Sequence, residues 1–286
     1  MSGSSRLLPY LRLVRAPAVF SALGDPLVGL LIARGELPAG RAAKAAAAAA
    51  SLYLAGMALN DLADREEDAR ERPERPIPAG EVSARSAALL GLSLLLTGAL
   101  TARRAGARQI GGALAGMIAA YDFVLKRSPA LGPVAMGACR SLSLLMGAEA
   151  GEGSRGLQRS AGAALLLGTY IAGLTLLARG ETEAGSAAEV TAGAGVAGAA
   201  LLATALRGGR RAVPWTAGAV ALAGPAVTAA LRDPVPARVG PAVGAMIRAI
   251  PALDGALAAP RAPRHALVLL PLLALVRWGR KLFPIS

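Results

Sequence analysis

Apolar stretches of about twenty residues recur along this chain, separated by short connections bearing charge, glycine or proline. A helix needs roughly twenty such residues to cross the hydrocarbon core of a bilayer. Segments 17–34, 42–61, 82–102, 107–125, 131–149, 160–178, 187–206, 212–231, 237–258 and 265–283 meet that condition. Segment 237–258 carries Arg248, Pro251 and Asp254, which predicts a broken or half-buried helix there and leaves nine crossings, or ten if it spans. Composition agrees: 54% of residues are hydrophobic, 35 of 286 are glycine, and only 17% are charged. A soluble globule of this length needs a more polar shell. The expected fold is all-α: a polytopic membrane bundle of about nine antiparallel transmembrane helices, forming one membrane domain over 1–286.

Several function classes fall away. Cys139 is the only cysteine and His265 the only histidine, so no intrachain disulfide and no His-rich metal site can form. The net charge of +13 would suit nucleic acid, but the basic residues sit in short clusters between apolar runs with no interleaved aromatics. They read as membrane flanks facing lipid headgroups, and no nucleic-acid partner is expected. The basic N-terminal stretch lacks a small-residue cleavage site, so the first span is expected to serve as its own targeting signal. The alanine tract at 45–50 reads as helix filler. The G-x-x-x-G pairs Gly112/Gly116 and Gly240/Gly244 suit close helix contact. Gly193, Gly195 and Gly198 match G-x-G-x-x-G, but without a preceding strand they predict no nucleotide site.

Numbering the loops alternately places Lys and Arg almost evenly on the two sides, so the positive-inside rule does not orient the chain. The acidic residues are uneven. Nearly all fall on the side of the N-terminus, which makes one face mixed in charge and the other basic. Chemistry is expected on the mixed face.

The densest feature there is Leu59-Asn60-Asp61-Leu62-Ala63-Asp64-Arg65-Glu66-Glu67-Asp68, directly after an apolar run. Asn60, Asp64 and Asp68 recur every four residues and share a helical face, with Asp61 joining it. Carboxylates stacked this way repel unless a cation sits among them. Hard oxygen donors suit Mg2+, which keeps waters and takes one or two carboxylates plus substrate phosphates. Pro73, Pro76 and Pro78 then forbid a continuing helix and stiffen a loop whose Arg72 and Arg75 can grip phosphate oxygens. Spacing alone supports a solvated, salt-bridged loop equally well.

The stretch 60–80 resembles the first signature of the UbiA superfamily of intramembrane prenyltransferases: N-D-x-x-D-x-x-x-D at Asn60, Asp61, Asp64 and Asp68, then Arg72, then R-P-x-P-x-G at Arg75 to Gly80. Tyr121 with Lys126 and Arg127 resembles the family's Y-x(3–4)-K-R, and Arg140 an arginine of its fifth helix. The resemblance implies a central, lipid-accessible cavity sheltering a polyprenyl tail, with its diphosphate and Mg2+ at the cytoplasmic end of a multi-pass protein of the cell membrane. It implies metal ligation by Asn60, Asp61, Asp64 and Asp68, and diphosphate binding by Asn60, Arg72, Arg75, Lys126 and Arg127. Asp64, Asp68, Arg140 and Tyr170 are the expected catalytic residues. A charge inside an apolar span is functional by default, and Arg140's bland alternative is snorkelling or pairing with Glu149.

The family's second aspartate-rich signature is replaced. Tyr170 is retained, but Thr175, Arg179, Glu181 and Glu183 stand where aspartates belong. The pattern resembles a divergent subgroup, with Arg179 as a substitute cation on phosphate and Glu181 orienting it. Tyr53, Tyr121 and Tyr170 are the aromatic candidates for steadying an allylic cation. Asp122 and Asp254 lie near or within spans, Asp254 as a late acid or as packing partner of Arg248. The expected activity is transfer of a polyprenyl group from its diphosphate to a small acceptor, assisted by Mg2+. The alternatives are a prenyl-lipid binding or transport protein that has lost turnover, and an ion-coupled transporter using Arg140, Asp122 and Asp254.

Overall fold

The computed structural model describes residues 4–181 and 186–275. No strand occurs among them. In chain order the α-helices are α1 (Ser4–Leu13), α2 (Gly24–Arg34), α3 (Ala39–Ala63), α4 (Arg65–Glu71), α5 (Ala84–Ala105), α6 (Arg108–Phe123), α7 (Leu131–Ala178), α8 (Ala187–Gly208), α9 (Val213–Arg232) and α10 (Pro236–Ala258). A short apolar helix, His265–Leu275, comes after α10, so the rest of the segment expected at 265–283 lies outside the described residues.

Five helices among the described residues are long and apolar enough to cross a membrane: α3, α5, the Leu131–Glu181 stretch, α8 with its extension to Arg211, and α9. This is the architecture of a multi-pass membrane protein. The 48 residues of α7 are a hairpin of two arms. Glu152 (φ −138°, ψ 27°) and Gly153 (φ 56°, ψ −135°) leave the helical region, and Gly153 takes a left-handed φ that glycine adopts without strain. Gly137 on one arm meets Gly168 on the other, equally far from the break, so the arms run antiparallel. The two spans expected at 131–149 and 160–178 are these arms.

Two expected spans are modified. Segment 17–34 divides into a 3-10 turn at Ala16–Ser21 and the 11-residue α2, about 16 Å long. The reason is Ser21, whose carbonyl is turned to accept from buried Arg140. Segment 237–258 does not break. Pro241 and Pro251 lie inside α10, which is nonetheless a continuous 23-residue helix. Every residue from Ala249 to Ala258 is buried, so it is a central helix, packed on α2, α7, α8 and α9.

Small residues set the closest helix contacts, as expected in lipid where van der Waals packing replaces a hydrophobic drive. The glycines responsible are not those of the two G-x-x-x-G pairs. A Cβ on Gly112 or Gly116 would meet nothing within 4 Å, and Gly240 and Gly244 line a cavity. A Cβ on Gly29 would instead run into the Leu144 carbonyl, and one on Gly147 into the Pro26 carbonyl, locking α2 to the first arm of α7. Gly173 and Gly193 do the same between the second arm and α8.

Gly147→Val should therefore prevent recovery of monodisperse protein in detergent. Gly112→Ala should leave the thermal midpoint within about 2 °C of wild type or raise it, because Ala is the better helix former. A thermal melt followed by size-exclusion chromatography reads both.

Candidate prenyl-diphosphate site

The carboxylate row begins where α3 ends. Asp64 (φ −94°, ψ 2°) caps α3 and opens α4, while the bonds Asp64 N to Asn60 O (3.0 Å), Asp68 N to Asp64 O (2.8 Å) and Arg72 N to Asp68 O (2.8 Å) carry the helical turn through the kink. α4 stops at Glu71, two residues before Pro73, as the proline argument requires. The loop beyond it folds on itself: Ala79 N donates to Arg75 O (2.9 Å) and Val82 N to Pro76 O (3.0 Å), and Gly80 takes φ +73°. Pro76 and Val82 are buried. Arg12 of α1 straps the loop down, donating to Glu81 (2.9 Å) and to the Glu74 carbonyl (2.9 Å).

The repulsion expected along the row is relieved by side chains of the protein. Arg75 Nη1 lies 2.6 Å from Asp68 Oδ2 and 3.5 Å from Asp61 Oδ1. Arg15 Nη2 lies 3.1 Å from the same Asp61 oxygen. Lys126 Nζ lies 2.7 Å from Asp64 Oδ1 and donates to Asn60 Oδ1 (3.0 Å), while Asn60 Nδ2 donates to Asp64 Oδ2 (3.2 Å). Asp61 and Asp68 are nearly inaccessible, 4% and 3% exposed, so removing the cation from either would leave a costly uncompensated charge. Among the described residues no three carboxylate, histidine or cysteine side chains converge as a metal cage. The expected four-residue metal set is thus present as a row bonded to three cations. Its oxygen-only chemistry fits Mg2+ in the mode that uses one or two carboxylates and leaves the remaining positions to phosphate and water.

Beneath the row lies a cavity of about 710 Å3. Arg15, Asn60 and Glu181 stand at its motif end, Tyr53, Tyr121 and Asp122 along its wall, and Leu52, Leu114, Ile171 and Ile250 give it an apolar lining. No described residue of the loops at the opposite end of the bundle lines it. Asp122 is buried, with Oδ2 unbonded among the described residues.

Other expected residues fall differently. Arg140 lines the cavity and is ion-paired: Nη2 donates to Ser21 O (2.6 Å) and Asp25 Oδ1 (2.7 Å), and Nε lies 2.7 Å from Asp25 Oδ2. Its partner is not Glu149, which accepts from Gln109 N (3.2 Å) and Ile110 N (2.8 Å) at the start of α6. Tyr170 is 1% exposed, donates to Met246 O (2.9 Å) and is not on the cavity wall; it braces the second arm of α7 against α10. Arg179 Nε pairs with Glu189 Oε1 (2.6 Å), the capping-box residue of α8, rather than standing in the cavity. Glu181 does line the cavity, with the charge of Arg72 bearing on it. Arg72 and Arg127 are exposed and join no ion pair among the described residues, while Glu183 lies outside them. Asp254 is fully buried against Gly24, with neither carboxylate oxygen bonded among the described residues, and Arg248 faces the cavity.

Two residues escape the sequence reading. Arg15, in left-handed conformation (φ 45°) at the end of α1, is visible there only as a membrane-flanking charge. Asp25 is a carboxylate inside an apolar run, the same signal that singles out Arg140, and it is Arg140's partner.

Residues 26–237 match the UbiA prenyltransferase family. The chain belongs to that family. It is 36% identical over 154 residues to a digeranylgeranylglyceryl phosphate synthase of Ignicoccus hospitalis, a match covering 52% of this chain and 50% of that protein. The chain spans about half the length of the curated relatives it matches. Among solved structures, the UbiA homologue of Aeropyrum pernix K1 superposes with a TM-score of 0.69 at 21% identity, covering 82% of this chain and 96% of that one. The Archaeoglobus fulgidus homologue bound to GPP and Mg2+ superposes at 0.55 and 12% identity, over 92% and 99%. These likenesses establish the fold.

Arg75→Ala should leave Asp61 and Asp68 facing each other with their shared cation gone. Loss of one partner of a largely buried pair costs about 3 kcal/mol, read as a fall in detergent unfolding stability. For Asp25 and Arg140, a double-mutant cycle should show strong coupling, with Asp25→Leu/Arg140→Met less destabilised than the sum of the single changes.

Proposed function

We propose that this protein transfers a polyprenyl group from its diphosphate to a small acceptor inside the membrane. The observation that carries the reading is the junction of a row of oxygen donors, three paired cations and an apolar-lined cavity at one end of a helical bundle. A polyprenyl diphosphate has the same two halves, an anionic head and a hydrocarbon tail. The relatives named digeranylgeranylglyceryl phosphate synthase and the neighbour bound to GPP and Mg2+ support the substrate class. The acceptor is left open by the scattered apolar wall that shapes its pocket.

In this reading the row of Asn60, Asp61, Asp64 and Asp68 would hold Mg2+ through one or two of its carboxylates, and the metal would supply charge neutralisation for the diphosphate leaving group. Lys126, Arg75 and Arg15, each already paired with the row, would take phosphate oxygens. Arg72 and Arg127, exposed beside them, complete a cationic rim. Tyr53 and Tyr121 offer aromatic faces along the path of the prenyl chain. The apolar wall keeps water from the reactive carbon, so the group passes to the acceptor rather than to solvent. The mixed-charge face that carries this machinery is assigned to the cytoplasm of a cell-membrane protein.

A second reading, a prenyl-lipid binding or transport protein without turnover, draws on the altered segment after Tyr170. One experiment separates the two. Purified protein is incubated with labelled geranylgeranyl diphosphate and Mg2+ in the presence of membrane lipid extract as acceptor source. Prenyl transfer should release diphosphate, and Asp64→Ala should lower that release at least about 100-fold, since metal stabilisation of a leaving group is worth several kcal/mol. Equal background release from both proteins would overturn the enzyme reading. Mg2+-dependent binding of intact substrate with no product would favour the second.

A further inference from the structure

At the end of the bundle opposite the carboxylate row, a smaller pocket of about 160 Å3 opens between the second arm of α7, α8 and the chain after α10. Three arginines from three elements line it: Arg159, Arg207 and Arg261. A fourth, Arg211, reaches its edge, donating to the carbonyl of Pro260 (2.9 Å), itself a wall residue. The inner wall is apolar, with Ile32, Leu166 and Leu257.

The guanidinium positions are shaped by the fold. Arg159 donates to the Ala33 carbonyl at the end of α2 (2.9 Å) and pairs with Glu152 at the hairpin break. Arg207 lies flat across Gly162 of the neighbouring arm, where any Cβ would collide with its Nη1. Glu152 is the only carboxylate bonded to any of the four among the described residues. The remaining positive charge is gathered into a space too small for a polar domain and bordered by hydrocarbon-facing surface. On the same two helices, Leu165, Leu202 and Leu206 are 69%, 61% and 76% exposed. No described residue covers them.

We propose that this pocket binds the phosphodiester headgroup of an anionic phospholipid, with the acyl chains outside the pocket on the apolar surface of the bundle. Guanidinium forks match phosphate oxygens bidentately. Basic pockets between membrane helices are the form such recognition takes, each arginine near the surface contributing about a fivefold preference. The pocket's volume admits a phosphate and its ester oxygens, so the chains must lie outside it. The site lies across the bundle from the prenyl cavity, and the proposal stands independently of the reaction assigned there.

The test is native mass spectrometry of delipidated full chain with dioleoyl-phosphatidylglycerol, with dioleoyl-phosphatidylcholine, and with phosphatidylglycerol against excess inorganic phosphate. Wild type should retain phosphatidylglycerol in preference to phosphatidylcholine. Arg207→Gln/Arg261→Gln should weaken phosphatidylglycerol binding roughly 30-fold. Both side chains are exposed, so the fold should survive, and the thermal shift that phosphatidylglycerol gives wild type should vanish in the variant while its lipid-free melt is unchanged. Arg103→Gln/Arg104→Gln, on the same face at the end of α5, should bind as wild type. Unchanged binding in the Arg207/Arg261 variant, equal retention of phosphatidylcholine, or an equal loss in the Arg103/Arg104 variant would overturn the proposal. Displacement by inorganic phosphate at matching concentration would show a phosphate site in place of a lipid site and would overturn it too.

Discussion

Charge neutralisation in a low-dielectric surrounding governs this molecule. Each carboxylate of the first motif, though set in an apolar bundle's rim, has a cation within ion-pair distance, and those cations come from elements far apart in sequence: Arg15 from the end of α1, Arg75 from the proline loop, Lys126 from the turn after α6. The pairs therefore do more than cancel repulsion. They fix the relative positions of three connections that would otherwise be tied only by their helices. The same logic operates deeper, where Arg140 and Asp25 join α7 to α2. A buried pair of this kind adds little net stability over an apolar alternative, but losing either member is costly. What it holds is the geometry of the two helices it joins.

This arrangement also explains how one row can look like both a metal site and a salt-bridged loop. Spacing supports both readings, and the structure contains both sets of groups in one place. The carboxylates that would share a divalent cation are held by the basic side chains that would take the phosphates. Each carboxylate of the row is neutralised by a basic side chain of the protein itself.

Much of the architecture is legible in the sequence because the bilayer imposes a length rule that soluble folds lack. Apolar runs announce α3, α5, α8, α9 and the two arms of α7. Prolines at 73, 76 and 78 announce the end of α4. The rest depends on partners. Asp25 and Arg140 are each visible as intramembrane charges, but nothing local says they meet. Arg15 looks like any flanking arginine until the chain turns it inward. Tyr170 matches a family position, yet its hydroxyl is directed to the Met246 carbonyl, a choice made by the packing of α10. The pairs Gly112/Gly116 and Gly240/Gly244 mislead for the same reason: spacing names a small-residue face without saying whether another helix lies against it, whereas Gly147 and Gly151, spaced the same way, do meet α2, and Gly29 on the other side of that contact has no such repeat to mark it.

The first helix joins a surface element to a buried one. α1 turns Leu7, Leu8 and Leu11 outward, all more than 40% exposed, while Arg12 and Arg15 on the same ten-residue segment and its exit grip Glu81 and Asp61. A short amphipathic rod of this kind rests at the level of lipid headgroups. Its depth in the bilayer and the position of an inner carboxylate are then mechanically one variable. The Arg15 grip ties the position of α1 directly to Asp61, through one side chain and not through a membrane-spanning helix.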